Sequence, residues 1–248
     1  MSVKRNTLIT NGFLWYTERI LSKKFDGVGI HSSSLPVWNK LSHVPQAIIY
    51  GTHSSWWDVM IAAFIAKHSG LALYAPMDAE QLKKYKILEQ VGLFPVTRDM
   101  AVSFIRKVKE IFSRKERTAL FITPQGEFIC NRQSQPEFQR GLASAIQLNP
   151  NVPVFAVSVQ YEFWNESRPV IIFSVTEVGI KHSNDVNETL RKHLDNDTQY
   201  LLSTASRRNI NDWQWLIRPK AKTLLIQDAT SKILAVTKGE TYKAGHLR

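Results

Sequence analysis

A histidine and an aspartate five positions apart are the residues of this sequence best suited to chemistry. His53 and Asp58 lie within residues 47–58, AIIYGTHSSWWD, which pass from an apolar run through a Gly-Thr turn. Positions five apart lie about 140° apart around a regular helix, so these side chains meet only if His53 lies in the turn and Asp58 in the first helical turn. The spacing therefore predicts a bent His–Asp pair rather than two residues on one helix face.

Such a pair has the chemistry of a general base. A carboxylate that holds one imidazole nitrogen fixes the tautomer and leaves the other nitrogen free to take a proton from a hydroxyl. The alternative is a coincidental spacing, since the sequence contains seven histidines. The position of His53 just beyond an apolar run that is typical of a strand favours a functional pair.

Two other polar turns follow predicted strands. The first contains Arg98, and the second contains Pro124, Gln125, Gly126 and Glu127. In an open parallel sheet the carboxyl ends of the strands share one edge, where ligands bind, so both turns are expected to converge with His53 on one cleft. Arg98 is suited to bind a phosphate or carboxylate, and the turn at Gly126 to present backbone N–H groups to an oxyanion. The alternatives are a surface ion pair for Arg98 and an ordinary tight turn at Gly126.

Strands and helices alternate along the part of the sequence that carries these turns. The apolar pattern predicts strands at residues 48–50, 71–75, 93–96, 118–123, 153–160 and 170–175, and helices at residues 7–25, 59–66, 79–90, 101–112, 138–146, 185–194 and 220–236. This alternation predicts an α/β fold with a mainly parallel central sheet and helices on both faces. An N-terminal amphipathic helix and a C-terminal helical region complete the predicted architecture.

Polar residues mark where two of the predicted helices begin. Asp99 is a predicted N-cap, and Asp185 with Glu188 three residues later resembles a capping box. Trp213 and Trp215 are expected to pack within a helical cap, with an interface anchor as the alternative.

The length and apolar content of the sequence favour one domain. With 248 residues and 44% hydrophobic content the chain can bury a large core. We expect residues 1–45 to form an N-terminal helix and loop, residues 46–178 an α/β core, and residues 179–248 a helical part. Residues 26–45 are rich in Gly, Ser and Pro and predict a connecting loop in which His31 and His43 are solvated.

The net charge of +11 predicts a surface that attracts anions. Nucleic acid, acidic phospholipid and a phosphorylated carrier of substrate all fit the charge. The single cysteine, Cys130, excludes an internal disulfide, and the sequence lacks a zinc signature. A reducing compartment fits this composition.

No stretch approaches the roughly 18 to 20 uninterrupted apolar residues that span a bilayer, and no apolar secretory core precedes a cleavage site. The helix predicted at residues 7–25 carries an apolar stripe with basic flanks, which is able to dock on lipid or to cover the core of the domain. If the protein meets a membrane, we expect it to lie on the surface.

Four ordered segments resemble the conserved blocks of the glycerolipid acyltransferases typified by 1-acyl-glycerol-3-phosphate acyltransferase. These segments read HSSWWD, GLFPVTR, FITPQGEF and NVPVFAVSV and lie within residues 45–178. The resemblance implies that His53 and Asp58 are the catalytic His-x4-Asp pair, and that the second block, from Gly92 to Arg98, binds the acceptor. The third block of the family usually reads Pro-Glu-Gly-Thr-Arg, whereas this sequence has Gln125 and Phe128 in place of the Glu and the Arg.

The resemblance implies a reaction in which an acyl group moves from acyl-CoA or acyl carrier protein to a lipid hydroxyl. The resemblance also implies that His53 acts as the base without an acyl-enzyme, and that neither a metal nor another cofactor takes part. The basic surface then suits both an anionic thioester carrier and an anionic membrane. The expected location is cytoplasmic, with peripheral attachment to the inner face of a membrane.

The altered third block leaves the acceptor open. A lysophospholipid such as 1-acyl-glycerol-3-phosphate is the family default, and a sugar hydroxyl on a glycolipid or a glycosylated carotenoid is the alternative. A serine hydrolase is disfavoured because Gly-x-Ser-x-Gly is absent. A non-catalytic basic membrane-binding or scaffold protein is the rival of another class, while no recognition motif supports nucleic acid.

Overall fold

The computed structural model describes residues 3–97, 101–164, 168–180 and 185–218, together with residues 237 and 239. The helices are α1 Thr7–Lys24, α2 Leu35–Leu41, α3 Trp57–Ser69, α4 Ala79–Lys84, α5 Ala101–Phe112, α6 Gly141–Leu148 and α7 Val186–Ser206. The strands are β1 Val28–His31, β2 Gln46–Gly51, β3 Ala72–Asp78, β4 Leu93–Val96, β5 Thr118–Ile122, β6 Val154–Glu162, β7 Val170–Glu177 and β8 Trp213–Ile217. Short 3-10 helices lie at Ser32–Ser34, Lys86–Gln90 and Ile210–Asp212.

The strands form one sheet in the order β4-β3-β5-β2-β6-β7-β1-β8. The pairs β6–β7 and β1–β8 are antiparallel, and the other neighbouring pairs are parallel. Helices pack on both faces of this sheet, so the predicted α/β fold with a mainly parallel central sheet is confirmed. Strands β2 and β5 lie in the middle and are almost wholly buried, which explains their continuous apolar sequences.

Alternate residues of the central strands supply two separate cores. Ile49 and Phe121 face the cluster that α1, α2 and α3 cover. Ile48 and Leu120 face the cluster that α5, α6 and α7 cover. Since successive side chains of a strand point to opposite faces, each apolar strand stabilises both layers at once.

Most of the predicted elements are present near their expected bounds. Strand β4 and helix α5 match the predictions, and α3 is buried nearly all round, as its apolar sequence indicates. Asp185 caps α7, because its Oδ1 accepts the backbone N–H of Glu188 at 3.0 Å. Asp99 and the helix predicted at residues 220–236 lie outside the described residues.

The predicted loop at residues 26–45 is wrong, because this segment contains strand β1 and helix α2. β1 is four residues long and completely buried between β7 and β8, so it has no polar face to give an alternating pattern. His31 is therefore buried rather than solvated, with its ring against Tyr200 and Trp213. Burial lowers the pKa of His31, and nearby Asp212 partly opposes that shift. His43 is exposed, as expected.

The predicted helical cap around Trp213 and Trp215 is also wrong. These residues begin strand β8, which adds an antiparallel edge to the sheet beside β1. Gly29 of β1 makes room for the Trp215 ring, because a Cβ there would lie 3.2 Å from that ring. The pairing of β1 with β8 joins segments almost two hundred residues apart, and a local sequence pattern does not predict such a contact.

Gly92 is required by the backbone at the start of β4. Its φ is +103°, and a Cβ at this position would lie 2.3 Å from the carbonyl oxygen of Leu73 in β3. β3 and β4 pair in parallel from this point, so the pairing opposes a separation of the two strands.

We expect Gly92→Ala to lower the free energy of unfolding by about 1–3 kcal/mol for the strained φ alone. The steric clash of the new Cβ with Leu73 O adds to this loss. Urea unfolding measures the change. Gly12→Ala is the matched control, because Gly12 lies in α1 with open space around it and the alanine should stabilise that helix by roughly 0.5–1 kcal/mol. Equal stability of the Gly92→Ala and wild-type proteins would contradict this account.

Candidate active site

His53 and Asp58 meet where β2 passes into α3. β2 ends at Gly51 and α3 begins at Trp57, so His53 lies in the turn and Asp58 in the first helical turn, as the spacing predicts. His53 Nδ1 lies 3.4 Å from Asp58 Oδ2, and the side chains are 19% and 1% exposed. Nδ1 is buried, so the exposed part of the ring points away from the carboxylate. The open side of the imidazole is thus the side opposite the carboxylate.

Three donors hold the Asp58 carboxylate in place. Oδ2 accepts the backbone N–H groups of Ser54 at 2.7 Å and Ser55 at 2.8 Å. Oδ1 accepts the hydroxyl of Tyr161 at 2.5 Å. Hydrogen bonds to the charged form and a position at the start of a helix both stabilise a buried carboxylate. The turn that carries His53 is therefore closed by the same carboxylate that faces the imidazole.

Tyr161 is a site residue that sequence reasoning missed. It lies near the carboxyl end of β6, and its ring packs against Phe25, which in turn stacks edge-on against Trp57 at 4.9 Å. Burial raises the pKa of Tyr161 well above its usual value, and the adjacent Asp58 charge raises it further. The hydroxyl thus remains a donor. Nothing in the sequence near Tyr161 signals this role, because the contact depends on the pairing of β2 with β6.

The turn after β5 lies beside His53, as the topology predicts. Pro124 and Gln125 are buried, and Gln125 Nε2 donates to Gly51 O at 3.3 Å and to Gln135 Oε1 at 2.8 Å. The backbone N–H of Ile129 donates to His53 O at 2.7 Å. Hydrogen bonds at both ends of the turn thus join it to the segment that carries His53.

The exposed part of this turn lies beside the His53 ring. Gly126 has a φ of +74°. Its N–H donates to Thr123 O at 3.3 Å, so this amide is engaged in a hydrogen bond within the turn. Glu127 and Phe128 are exposed, and the Phe128 ring lies 4.4 Å from the His53 ring. The position that carries a cation in the family block therefore presents an aromatic face beside the imidazole.

The structure does not place Gly92 at this edge. Leu93 is level with Ala75 in the parallel pair of β3 and β4, so Gly92 lies at the start of its strand rather than at the carboxyl end. Arg98, which follows the carboxyl end of β4, lies outside the described residues. Gly92 thus allows the backbone conformation at the start of β4, and the position of Arg98 is not described.

Asn131 is a second residue that the sequence did not single out. Its Nδ2 donates to Val159 O at 2.6 Å and to Ser54 Oγ at 3.2 Å, so it joins the loop after β5 to both β6 and the His53 turn. Among the described residues, no group of three or more His, Cys, Asp or Glu side chains is arranged as a metal site. The chemistry that this arrangement supports is proton transfer by an oriented imidazole.

Comparison with known protein families identifies the class of enzyme. Residues 38–160 match the family model described as Acyltransferase. Residues 38–160 therefore form an acyltransferase domain. The matched segment runs from α2 to β6 and contains the His–Asp pair and the turn after β5.

The match favours an enzyme over the non-catalytic binding or scaffold protein that the charge alone allows. A comparison with curated proteins found no match for this acyltransferase.

Proposed function

We propose that this acyltransferase moves a fatty acyl group from a thioester, acyl-CoA or acyl carrier protein, to a lipid hydroxyl. The observation that carries the proposal is the buried Asp58 carboxylate 3.4 Å from His53, in the turn at the carboxyl edge of the sheet. His53 is the general base, and Asp58 holds its tautomer. The family match over the same segment supports acyl transfer as the reaction.

In this mechanism the exposed nitrogen of His53 takes the proton of the acceptor hydroxyl. The hydroxyl oxygen attacks the thioester carbonyl, and a tetrahedral intermediate forms without an acyl-enzyme. When the intermediate collapses, the carbon–sulfur bond breaks, and the thiol leaves with the proton that His53 had taken. The products are an ester and a free thiol, and the imidazole is neutral again.

We expect His53→Ala to reduce thioester-dependent acylation by about 10²- to 10⁴-fold, since that is the usual contribution of a general base. Release of free thiol from palmitoyl-CoA measures the rate, and thermal unfolding checks the fold. His43→Ala is the matched control, because His43 is an exposed histidine outside the site. Near-normal turnover by His53→Ala would reject the role of His53 as the base.

The family resemblance favours a lysophospholipid, such as 1-acyl-glycerol-3-phosphate, as the acceptor. One observation favours an uncharged acceptor instead, namely a sugar hydroxyl on a glycolipid or a glycosylated carotenoid. Phe128 stands beside His53 where the family block has an Arg, and the neighbouring Glu127 adds a negative charge. Loss of a charge-assisted hydrogen bond worth about 1.5–3 kcal/mol lowers the affinity for a phosphate-bearing acceptor by roughly 10- to 100-fold.

A panel of acceptors separates these two cases. With lysophosphatidate as the true acceptor, we expect strong thiol release that falls steeply in Arg98→Ala, because Arg98 is the remaining cation of the two in the family blocks. With a sugar acceptor, we expect turnover only with glycosylated lipids and little effect of Arg98→Ala. Strong activity on lysophosphatidate that depends on Arg98 would exclude the sugar alternative.

We also propose that the protein attaches peripherally to the cytoplasmic face of a membrane. Within the described ranges, no helix combines the length and the apolar composition needed to cross a bilayer. Helix α1 presents two different faces. Its inner face buries Thr10, Thr17 and Leu21 against the protein, whereas its outer face leaves Leu8 and Trp15 82% and 60% exposed.

Basic residues accompany the outer face of α1. The Arg19 guanidinium lies 5.5 Å from the Trp15 ring centre, and Lys23 and Lys24 occupy the last helical turn. An exposed tryptophan and leucine among cations are typical of a helix that lies in a membrane interface. This arrangement supports attachment through α1, with its inner face still packed on the core.

We expect binding to anionic vesicles that weakens as salt is added, since each basic residue near an anionic surface contributes about 1 kcal/mol. Leu8→Ala/Trp15→Ala is expected to reduce vesicle flotation about tenfold or more, because each large apolar side chain contributes roughly 1.5–3 kcal/mol when fully buried. Tyr85→Ala/Phe163→Ala is the matched control, since both aromatic residues are similarly exposed on other elements. Equal binding to neutral and anionic lipid, or loss of binding only in the control, would contradict attachment through α1.

A further inference from the structure

The two oxygens of the Asp58 carboxylate have different partners. Oδ2 faces His53 and accepts the amides of the turn, whereas Oδ1 accepts the hydroxyl of Tyr161. The terminal torsion of an aspartate is soft, and turning it moves both oxygens, so a partner on Oδ1 adds to the restraint that the amides place on Oδ2. A bond to Oδ1 restricts that rotation and keeps Oδ2 directed toward the imidazole.

The Tyr161 hydroxyl is itself held firmly. Its ring is partly buried and packs against Phe25, and its backbone lies in β6, the strand next to the one that leads to His53. The register of β6 against β2 places Val157 level with Gly51, so Tyr161 stands beside the start of α3. The donor therefore comes from the rigid sheet rather than from the turn that it supports.

We infer that Tyr161 is a positioning residue for acyl transfer, acting through Asp58 on the orientation of His53. This inference rests on the proposed role of His53 as the base. Tyr161 does not contact the reacting atoms in this account. It fixes the carboxylate plane, and the carboxylate in turn fixes the imidazole.

The inference predicts a selective loss of turnover in Tyr161→Phe, which keeps the ring and removes the hydroxyl. We expect kcat to fall about 10- to 100-fold, the range typical when a partner that orients a catalytic ligand is removed, and KM for both substrates to change little. The matched control is Tyr50→Phe. Tyr50 is another tyrosine of the sheet; it is buried and donates its hydroxyl to Leu190 O at 3.2 Å, away from the site.

Tyr50→Phe is expected to lower the melting temperature by about 2–4 °C, and Tyr161→Phe by about 3–12 °C because its lost hydrogen bond is to a carboxylate. Only Tyr161→Phe should lower kcat. A kcat for Tyr161→Phe within about twofold of wild type would overturn the inference, as would an equal loss of kcat in Tyr50→Phe.

A double-mutant cycle tests whether Tyr161 acts through Asp58. If it does, adding Tyr161→Phe to Asp58→Asn causes no further loss of kcat, because the oriented carboxylate is already absent. Independent, multiplicative losses would overturn the inference. His53→Ala in the same assay separates the role of His53 from the role of Tyr161. An active His53→Ala variant rejects His53 as the base. An inactive His53→Ala variant together with a Tyr161→Phe variant of normal activity rejects only the positioning role of Tyr161.

Discussion

The buried carboxylate of Asp58 is the constraint on which the site depends. A carboxylate that is 1% exposed has to find donors, and it finds them in the turn before α3 and in the hydroxyl of Tyr161. Those same bonds close the turn that carries His53. The backbone amides that satisfy the hydrogen bonds of the Asp58 carboxylate follow His53 directly in the sequence, so the same bonds bring the imidazole close to the carboxylate.

The central sheet supplies the rigid frame for this carboxylate. β2, β5 and β6 lie side by side, and the segments that follow β2 and β5 meet at their carboxyl ends. Close packing leaves little freedom here, because a Cβ on Gly51 would lie 2.8 Å from Val157 O in β6. The buried cores on both faces prevent the strands from separating. Loop residues such as Gln125 and Asn131 then attach the turn after β5 to this frame.

Helix α1 connects the site to the surface of the protein. Its last turn leads to Phe25, whose ring contacts both Trp57 and Tyr161, the residues on either side of the carboxylate. The outer face of the same helix carries exposed Trp15 and several cations. Under the proposed attachment to a membrane, an acceptor lipid would present its hydroxyl at the protein surface. Phe25, directly after α1, is the residue that joins the end of this helix to the neighbours of Asp58.

The sequence by itself determined the elements whose residues interact locally. The turn that carries His53, the buried helix after it and the alternation of strands and helices all follow from residues a few positions apart, so their periodicity reports their burial directly. Only the tertiary structure decided that β1 and β8 join the sheet, that His31 is buried and that Tyr161 reaches Asp58. Tyr161 and Asp58 are 103 positions apart, and β1 and β8 come from opposite ends of the described chain. Contacts of this kind depend on which strands pair, and strand pairing is settled by the packing of the whole sheet rather than by any local pattern.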